Sequence, residues 1–259
     1  MLTLEDYEKY DIKNVLAWTA PKENGAPLMT MPNIPHPLHG MAPRTILGPT
    51  TWDHMRKRCY YDAGYKCQAC GRDLDKGECH AHEVYSINYY AGESKFVRTV
   101  CLCPLCHVYG IHSGRALTMF KKGDVRFTKN KILEGVENLF KQLYTWNKEH
   151  PNEPPLRAYV TLIDYAKWPP IAKEMDELIK KYDVKFYTED YDYSASWKKW
   201  HLIIGHNSYP TKYENQADWE IQMTKKNKAE QKIIKRLDTG GIFDEVDKII
   251  KEDNEEKEK

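Results

Sequence analysis

Apolar residues recur at every third or fourth position in three stretches of the chain, a spacing that predicts three amphipathic helices. The first begins after an N-cap at Thr50 or Thr51 and stops at Gly64. The second covers residues 132–143, and the third covers residues 171–179. Each of these helices is expected to bury its apolar side and to expose its polar side.

Two shorter stretches, residues 84–89 and 96–100, are rich in β-branched and aromatic residues, which predicts two β-strands. The turn between them falls at residues 91–93, so the two strands should form a hairpin. A helix is expected to start near Cys103, and a further strand is expected at residues 200–204. The pattern therefore predicts a hairpin followed by a helix within a chain of the α+β class.

Prolines and charges divide the chain into four segments. Seven prolines lie between Pro21 and Pro49, so residues 1–50 should form an extended arm that wraps the folded body. Residues 51–149 contain a cysteine-rich block and its flanking helices. Residues 150–222 predict a small α+β unit, and residues 223–259 predict a charged tail that is helical or disordered.

Composition limits the classes of protein that fit. The chain has 259 residues, of which 41% are hydrophobic and 12% aromatic, so most of it should fold. Lys and Arg number 39 against 38 Asp and Glu, which excludes a uniformly basic nucleic-acid binder but allows local basic patches. No apolar run approaches the roughly 20 residues of a membrane span, and the acidic N-terminus is unlike a signal peptide. We therefore expect a cytoplasmic protein without a membrane partner.

Two CxxC pairs stand out among the seven cysteines. Cys67 with Cys70, and Cys103 with Cys106, each place two thiolates on one tight turn. Four thiolates satisfy the tetrahedral coordination of Zn²⁺. Disulfides would need an oxidising compartment, which nothing else in the sequence supports. We therefore predict a structural four-cysteine zinc site.

Histidines cluster in the same block. His80, His82 and Glu83 lie at the start of the first predicted strand, where the two histidines should point to one face and Glu83 to the other. His107 and His112 follow the second CxxC pair. Imidazoles and a carboxylate that converge on a rigid hairpin and helix can bind a second, catalytic divalent metal and supply a general base.

The spacing of the last two histidines adds a structural expectation. His107 and His112 are five residues apart, whereas ligands on one helix face prefer a spacing of four. If both bind the same metal, the helix must be irregular, and Gly110 is the expected place.

The order of these motifs resembles that of the HNH family of nucleases over about 50 residues, from Cys67 to Arg115. The resemblance implies a zinc-stapled ββα-metal core in a metal-dependent endonuclease that hydrolyses DNA phosphodiester bonds. Besides the structural zinc, it implies a catalytic divalent metal such as Mg²⁺, Mn²⁺, Ni²⁺ or Zn²⁺. By family analogy, a small chain with a single nuclease motif would suit a bacterial or phage protein.

The resemblance also implies residue roles, in one of two registers. In the first, His82 is the general base, His107 and His112 complete the metal site, and His80 or Glu83 supplies the ligand of the first motif. In the second, His82 is itself a metal ligand and Glu83 takes the place of the base.

Substrate contacts are expected from basic residues on either side of this block. Arg115 lies within one turn of the metal candidates, so we expect it to contact a phosphate. The expected partner is nucleic acid, and DNA in particular. The competing interpretation is an inactive zinc-ribbon module that binds nucleic acid or a protein. A zinc-dependent nucleobase deaminase fits less well, because its H-x-E and P-C-x-x-C motifs are not matched in order or spacing.

Overall fold

A computed structural model of the chain describes residues 17–158, 169–186 and 195–238, and these form a mixed α+β fold. The strands are β1 (Ala17–Trp18), β2 (His80–Asn88), β3 (Glu93–Leu102), β4 (His201–Ile204) and β5 (Asn207–Pro210). The α-helices are α1 (Pro43–Ile46), α2 (Gly48–Asp62), α3 (Ser113–Lys121), α4 (Lys129–Glu149), α5 (Pro169–Lys181) and α6 (Gln216–Asp238). A π-helix, Leu105–Ile111, precedes α3.

The five strands form one sheet in the order β1-β2-β3-β4-β5. The β2-β3 hairpin is antiparallel, as predicted, whereas β3 and β4 run parallel. The strand predicted at residues 200–204 therefore exists, and it extends the sheet of the hairpin. The chain segment after residue 150 thus contributes to the same sheet as the cysteine-rich block.

The hairpin has two differently used faces. His82 pairs with Val100, and His80 pairs with Leu102, so these four side chains share one face. The face includes Val100 and Leu102, which are fully buried. Glu83 pairs with Thr99 on the opposite face. Helix α2 packs against the hairpin.

Helix α2 starts earlier than predicted. Its first residue is Gly48, its N-cap is Leu47, and no side chain caps it, so the predicted Thr50 or Thr51 cap is wrong. Pro49 lies in the first turn, where proline is favoured because its missing N–H has no intrahelical partner to lose. The predicted stop at Gly64 holds, since that glycine follows the helix with a positive φ of 59°.

The arm before α2 is not simply extended. Residues 26–30 and 36–38 form two short 3₁₀-helices, and α1 follows them. Leu28, Met29 and Leu38 are buried, so this segment supplies part of the core. The extended conformation predicted for the proline-rich arm applies to only part of its described length, because these short helices interrupt it.

The predicted helix at residues 132–143 is the central part of α4, which Thr128 caps by accepting a hydrogen bond from the Lys131 backbone N–H. Gly135 faces the π-helix across a very close approach. A Cβ at this position would lie 2.1 Å from Tyr109 Cβ and 2.8 Å from its backbone. The glycine therefore allows α4 and the π-helix to pack against each other.

The third predicted helix is α5, and the predicted charged tail begins inside α6. Helix α6 starts at Gln216, seven residues before the predicted boundary at 223, and residues 239–259 lie outside the described part of the chain. Among the described residues, no helix is both long enough and apolar enough to cross a membrane.

Candidate metal centres

The two CxxC pairs come together as predicted. Cys67, Cys70, Cys103 and Cys106 place their sulfur atoms within 4.8 Å of one another, and four such thiols can hold a metal ion such as zinc. Cys70 Sγ lies 4.0 Å from Cys103 Sγ. In the first pair, the Gly71 backbone N–H donates to the Cys67 carbonyl at 2.7 Å, and the positive φ of Gly71 closes the turn.

The long helix α4 supplies donors to this cluster. Asn138 Nδ2 donates to Cys106 Sγ at 3.2 Å, and Gln142 Nε2 lies one turn further along at 3.7 Å from the same sulfur. The Cys106 backbone N–H donates to Cys103 Sγ at 3.3 Å. Donors of this kind stabilise thiolates, the form of cysteine that binds zinc. Sequence spacing could not reveal them, because the two amides lie more than 30 residues from the cysteines.

Three of the predicted histidines form a second cluster. His82, His107 and His112 each offer a ring nitrogen, and the three atoms lie within 4.8 Å of one another. Their ring centroids are 4.8–5.2 Å apart. Strand β2 contributes His82, which is buried, while the π-helix contributes His107 and ends just before His112. The structure therefore brings the histidine of β2 together with the two histidines that follow the second CxxC pair.

The π-helix explains the five-residue spacing. The His112 backbone N–H donates to the His107 carbonyl at 3.0 Å, a hydrogen bond across five residues rather than four. This widened turn brings positions i and i+5 to the same side, where an α-helix would separate them. Gly110, at the predicted irregularity, is buried against Met29, and a Cβ there would lie 2.5 Å from Met29 Cε.

Burial keeps these imidazoles neutral. It lowers the pKa of His82 well below its ordinary value of 6.5, that of His107 to about 3 and that of His112 to about 4. A neutral imidazole has the lone pair that a metal ligand needs. His82 Nδ1 is buried, and no described residue hydrogen-bonds to it. A divalent metal would satisfy this nitrogen, so the three histidines fit a metal.

His80 lies beside the cluster rather than in it. Its Nδ1 shares a hydrogen bond of 3.0 Å with Nδ1 of His107. That contact occupies one ring nitrogen of His107, leaves Nε2 available to a metal, and fixes the orientation of the ring. The structure thus places His80, the alternative ligand, where it can orient His107.

Glu83 follows His82 on β2, and strand alternation turns its side chain to the opposite face. Its Oε1 is buried and accepts no hydrogen bond from the described residues. Burial raises the pKa of this carboxyl. The β-bulge of the hairpin falls after Val84, so it does not redirect Glu83.

Arg44 is a residue that sequence reasoning missed. It is exposed on α1, and its positive charge contributes to lowering the pKa values of Glu83, His82, His107 and His112. It therefore lies near groups on both faces of β2. No motif spacing points to Arg44, because a non-local fold brings the proline-rich arm to the histidines.

Arg115 lies on α3 close to the histidine cluster, since its charge lowers the pKa of His112 after the larger effect of burial. It also lines a cavity next to the π-helix. Its predicted position near the metal candidates is therefore observed, while its contact with phosphate stays a prediction.

No protein-family model, curated protein or solved structure matches this chain. The functional interpretation therefore depends on the two clusters and their surroundings.

Proposed function

We propose that the protein is a metal-dependent HNH-type endonuclease that hydrolyses DNA phosphodiester bonds. The observation that carries this proposal is the cluster of His82, His107 and His112, formed by strand β2 and by a π-helix that also carries Cys106 of the four-cysteine site. A closed four-thiolate site has no open position for a substrate, whereas a three-histidine site leaves positions open. The second cluster is therefore the proposed catalytic one.

The proposed metal ligands are those of the second of the two registers. His82, His107 and His112 hold the metal, since all three offer neutral ring nitrogens to one point. Glu83, the base of that register, lies on the face of β2 opposite these ligands, so it is not proposed as the base. Arg44 and Arg115 supply positive charge near the cluster, and both are proposed to bind the phosphates of the substrate.

When bound, a divalent metal would polarise the scissile phosphate and stabilise the leaving 3′ oxygen. The residues of the chain have the remaining tasks. His80 keeps the His107 ring in one orientation through their shared hydrogen bond. The arginines hold the substrate strand in place.

The test combines cleavage with metal analysis. Full-length protein containing zinc is incubated with supercoiled plasmid and Mg²⁺, Mn²⁺, Ni²⁺ or Zn²⁺, and bound metals are counted by mass spectrometry. We expect His82→Ala to lose cleavage and the second metal, and Glu83→Gln to keep both, because its side chain lies on the opposite face of β2. His54→Ala is the matched control, because His54 is an exposed histidine on α2.

Absence of cleavage with all four metals, in wild-type protein that holds its zinc, would contradict the nuclease proposal and favour the inactive binding module. If His82→Ala keeps the second metal and loses only cleavage, His82 is the base and the first register applies.

A further inference from the structure

A cavity of about 470 Å³ lies beside the second CxxC pair and the π-helix. Its volume falls in the range of small-ligand sites, roughly 300–1,000 Å³. None of the seven proposed metal ligands lines it. The cavity is therefore a separate feature of the same block.

Arg126 stands at this cavity in a fixed orientation. Its Nε and Nη2 donate to the two carboxylate oxygens of Asp124 at 2.9 and 2.6 Å, and its backbone N–H donates to Oδ1 at 3.1 Å. The Asp124 side chain is 1% exposed, whereas that of Arg126 is 61% exposed. The buried carboxylate thus fixes one edge of the guanidinium and leaves the rest accessible. Such preorganisation favours phosphate binding, because little side-chain freedom is lost.

The other charged groups of the cavity make it positive. Arg72, Arg115 and Lys131 outnumber Glu78 and Glu134, while the charge of Arg126 is balanced by Asp124. Arg115 also connects the cavity to the histidine cluster, since it lines the cavity and lies three residues after His112, in the first turn of α3. An anion in the cavity would therefore lie close to the proposed cleavage site.

Part of the cavity wall is aromatic and apolar. The rings of Tyr109 and Phe127 meet edge to face with centroids 6.1 Å apart, and Tyr109 Oη donates to the Arg126 carbonyl at 3.3 Å. Leu105 and Val108 of the π-helix continue this wall. Aromatic surface beside arginine is the combination that binds a nucleobase together with its phosphate.

We propose that this cavity binds an unpaired nucleotide of the substrate strand, with its phosphate at Arg126 and its base against Tyr109 and Phe127. A base inside a duplex is stacked and cannot enter a concave site, so the cavity selects single-stranded or locally unpaired nucleic acid. The inference rests on the proposed nuclease function and names the substrate class of that site.

The test measures binding apart from cleavage. Fluorescence anisotropy of a labelled 12-nucleotide single strand is recorded with zinc-containing full-length protein and no added divalent metal. We expect about tenfold tighter binding of the single strand than of the matching duplex, and a comparable loss when its bases are replaced by abasic sites. Arg126→Ala should weaken binding to a similar extent. Arg126→Ala leaves Asp124 buried without its partner. Lys131→Glu therefore provides a second measurement, at an exposed lysine that lines the same cavity.

Lys180→Ala, on the exposed surface of α5, is the matched control and should bind as the wild type does. The proposal fails if both cavity variants retain wild-type affinity, or if the abasic strand binds as tightly as the intact one. The two proposals separate cleanly. Binding that depends on Arg126 and on the bases, without cleavage by any metal, supports the cavity and contradicts the nuclease. Cleavage that stays unchanged in both cavity variants supports the nuclease and contradicts the cavity.

Discussion

Asn138 is a side chain on which the strength of the four-cysteine metal site should depend. Its amide donates to Cys106 Sγ at 3.2 Å from the neighbouring helix α4. Loss of such a donor weakens metal binding by roughly 10–100-fold in other metal sites. We expect Asn138→Ala to lower zinc affinity by a factor in this range, measured by competition with a chromophoric chelator.

The matched control for this measurement is Asn130→Ala, because Asn130 is an exposed asparagine at the start of the same helix. Equal zinc affinity in the two variants would contradict a role for the Asn138 amide. A general loss of helix stability would affect both variants alike.

The grouping of the four cysteines into one metal site was predictable from the sequence, because CxxC spacing is a local property that matches zinc geometry. The surroundings of the metal sites were not. Asn138 and Arg44 reach the clusters through tertiary packing, and no sequence distance connects them to Cys106 or His107. The pairing of His80 with His107 was also hidden, since it needs the register of strand and π-helix together.

At the scale of elements, Gly135 governs the placement of the π-helix. Alanine ordinarily favours a helix over glycine by about 1 kcal/mol. Here its Cβ would lie 2.1 Å from Tyr109 Cβ, so the two helices would have to move apart. We expect Gly135→Ala to destabilise the protein by about 1–3 kcal/mol, as overpacked cores do. Because Tyr109 lies between His107 and His112, binding of the second metal should weaken as well.

Urea unfolding and titration with Co²⁺, followed by absorbance, measure these two effects. Gly77→Ala is the matched control, since a Cβ at Gly77 meets no atom within 4 Å. An increase in stability for Gly135→Ala, with unchanged Co²⁺ binding, would show that the close approach is tolerated.

Elements with a strong periodic pattern were predictable from the sequence. Helix α4 and the β2-β3 hairpin follow from apolar spacing and a turn, which are local signals. The π-helix was foreseen only as an irregularity at Gly110, because its extra residue per turn is stabilised by packing against Met29 and Gly135. The start of α2 was misplaced because threonines are good caps, yet a proline in the first turn can begin a helix without one.

For the whole molecule, the sheet joins distant parts of the chain. Strands β4 and β5 extend the hairpin, although more than 90 residues separate β3 from β4. Local patterns predict such strands but not their partners, because the pairing of β3 with β4 is non-local and parallel. The division of the chain into four segments therefore stays a prediction, while the sheet crosses two of its boundaries, since β1 precedes residue 50 and β4 and β5 follow residue 150.

A second long-range contact ties the N-terminal arm to helix α6. Trp219 Nε1 donates to His39 Nδ1 at 3.2 Å, and the Trp219 ring stacks on His36 with centroids 4.1 Å apart. His39 Nε2 in turn contacts the Ile34 carbonyl at 2.9 Å. This arrangement needs a neutral His39 that accepts through Nδ1 and donates through Nε2.

Acid should therefore loosen the contact between the arm and α6. Burial lowers the pKa of His39 to about 4, and the charges of nearby His36 and Lys226 act in the same direction, against the opposing effect of the Ile34 carbonyl. The unfolded chain, with an ordinary histidine pKa of 6.5, binds this proton more readily than the folded protein does. The stability that neutral His39 contributes is fully present above pH 6.5 and is lost as the pH falls toward 4, at most on the order of 3 kcal/mol.

Urea unfolding of the wild type and of His39→Gln, at intervals between pH 7 and pH 4, measures this loss. The difference in the free energy of unfolding between the two proteins cancels the contributions of the other buried histidines, which both proteins contain. His39→Gln keeps an acceptor for Trp219 and a donor for Ile34 but does not titrate, so its stability should fall less steeply with acid than that of the wild type. His206→Gln, at an exposed turn, should follow the wild type. Parallel pH profiles for His39→Gln and the wild type would mean that proton binding at His39 does not govern how the arm holds α6.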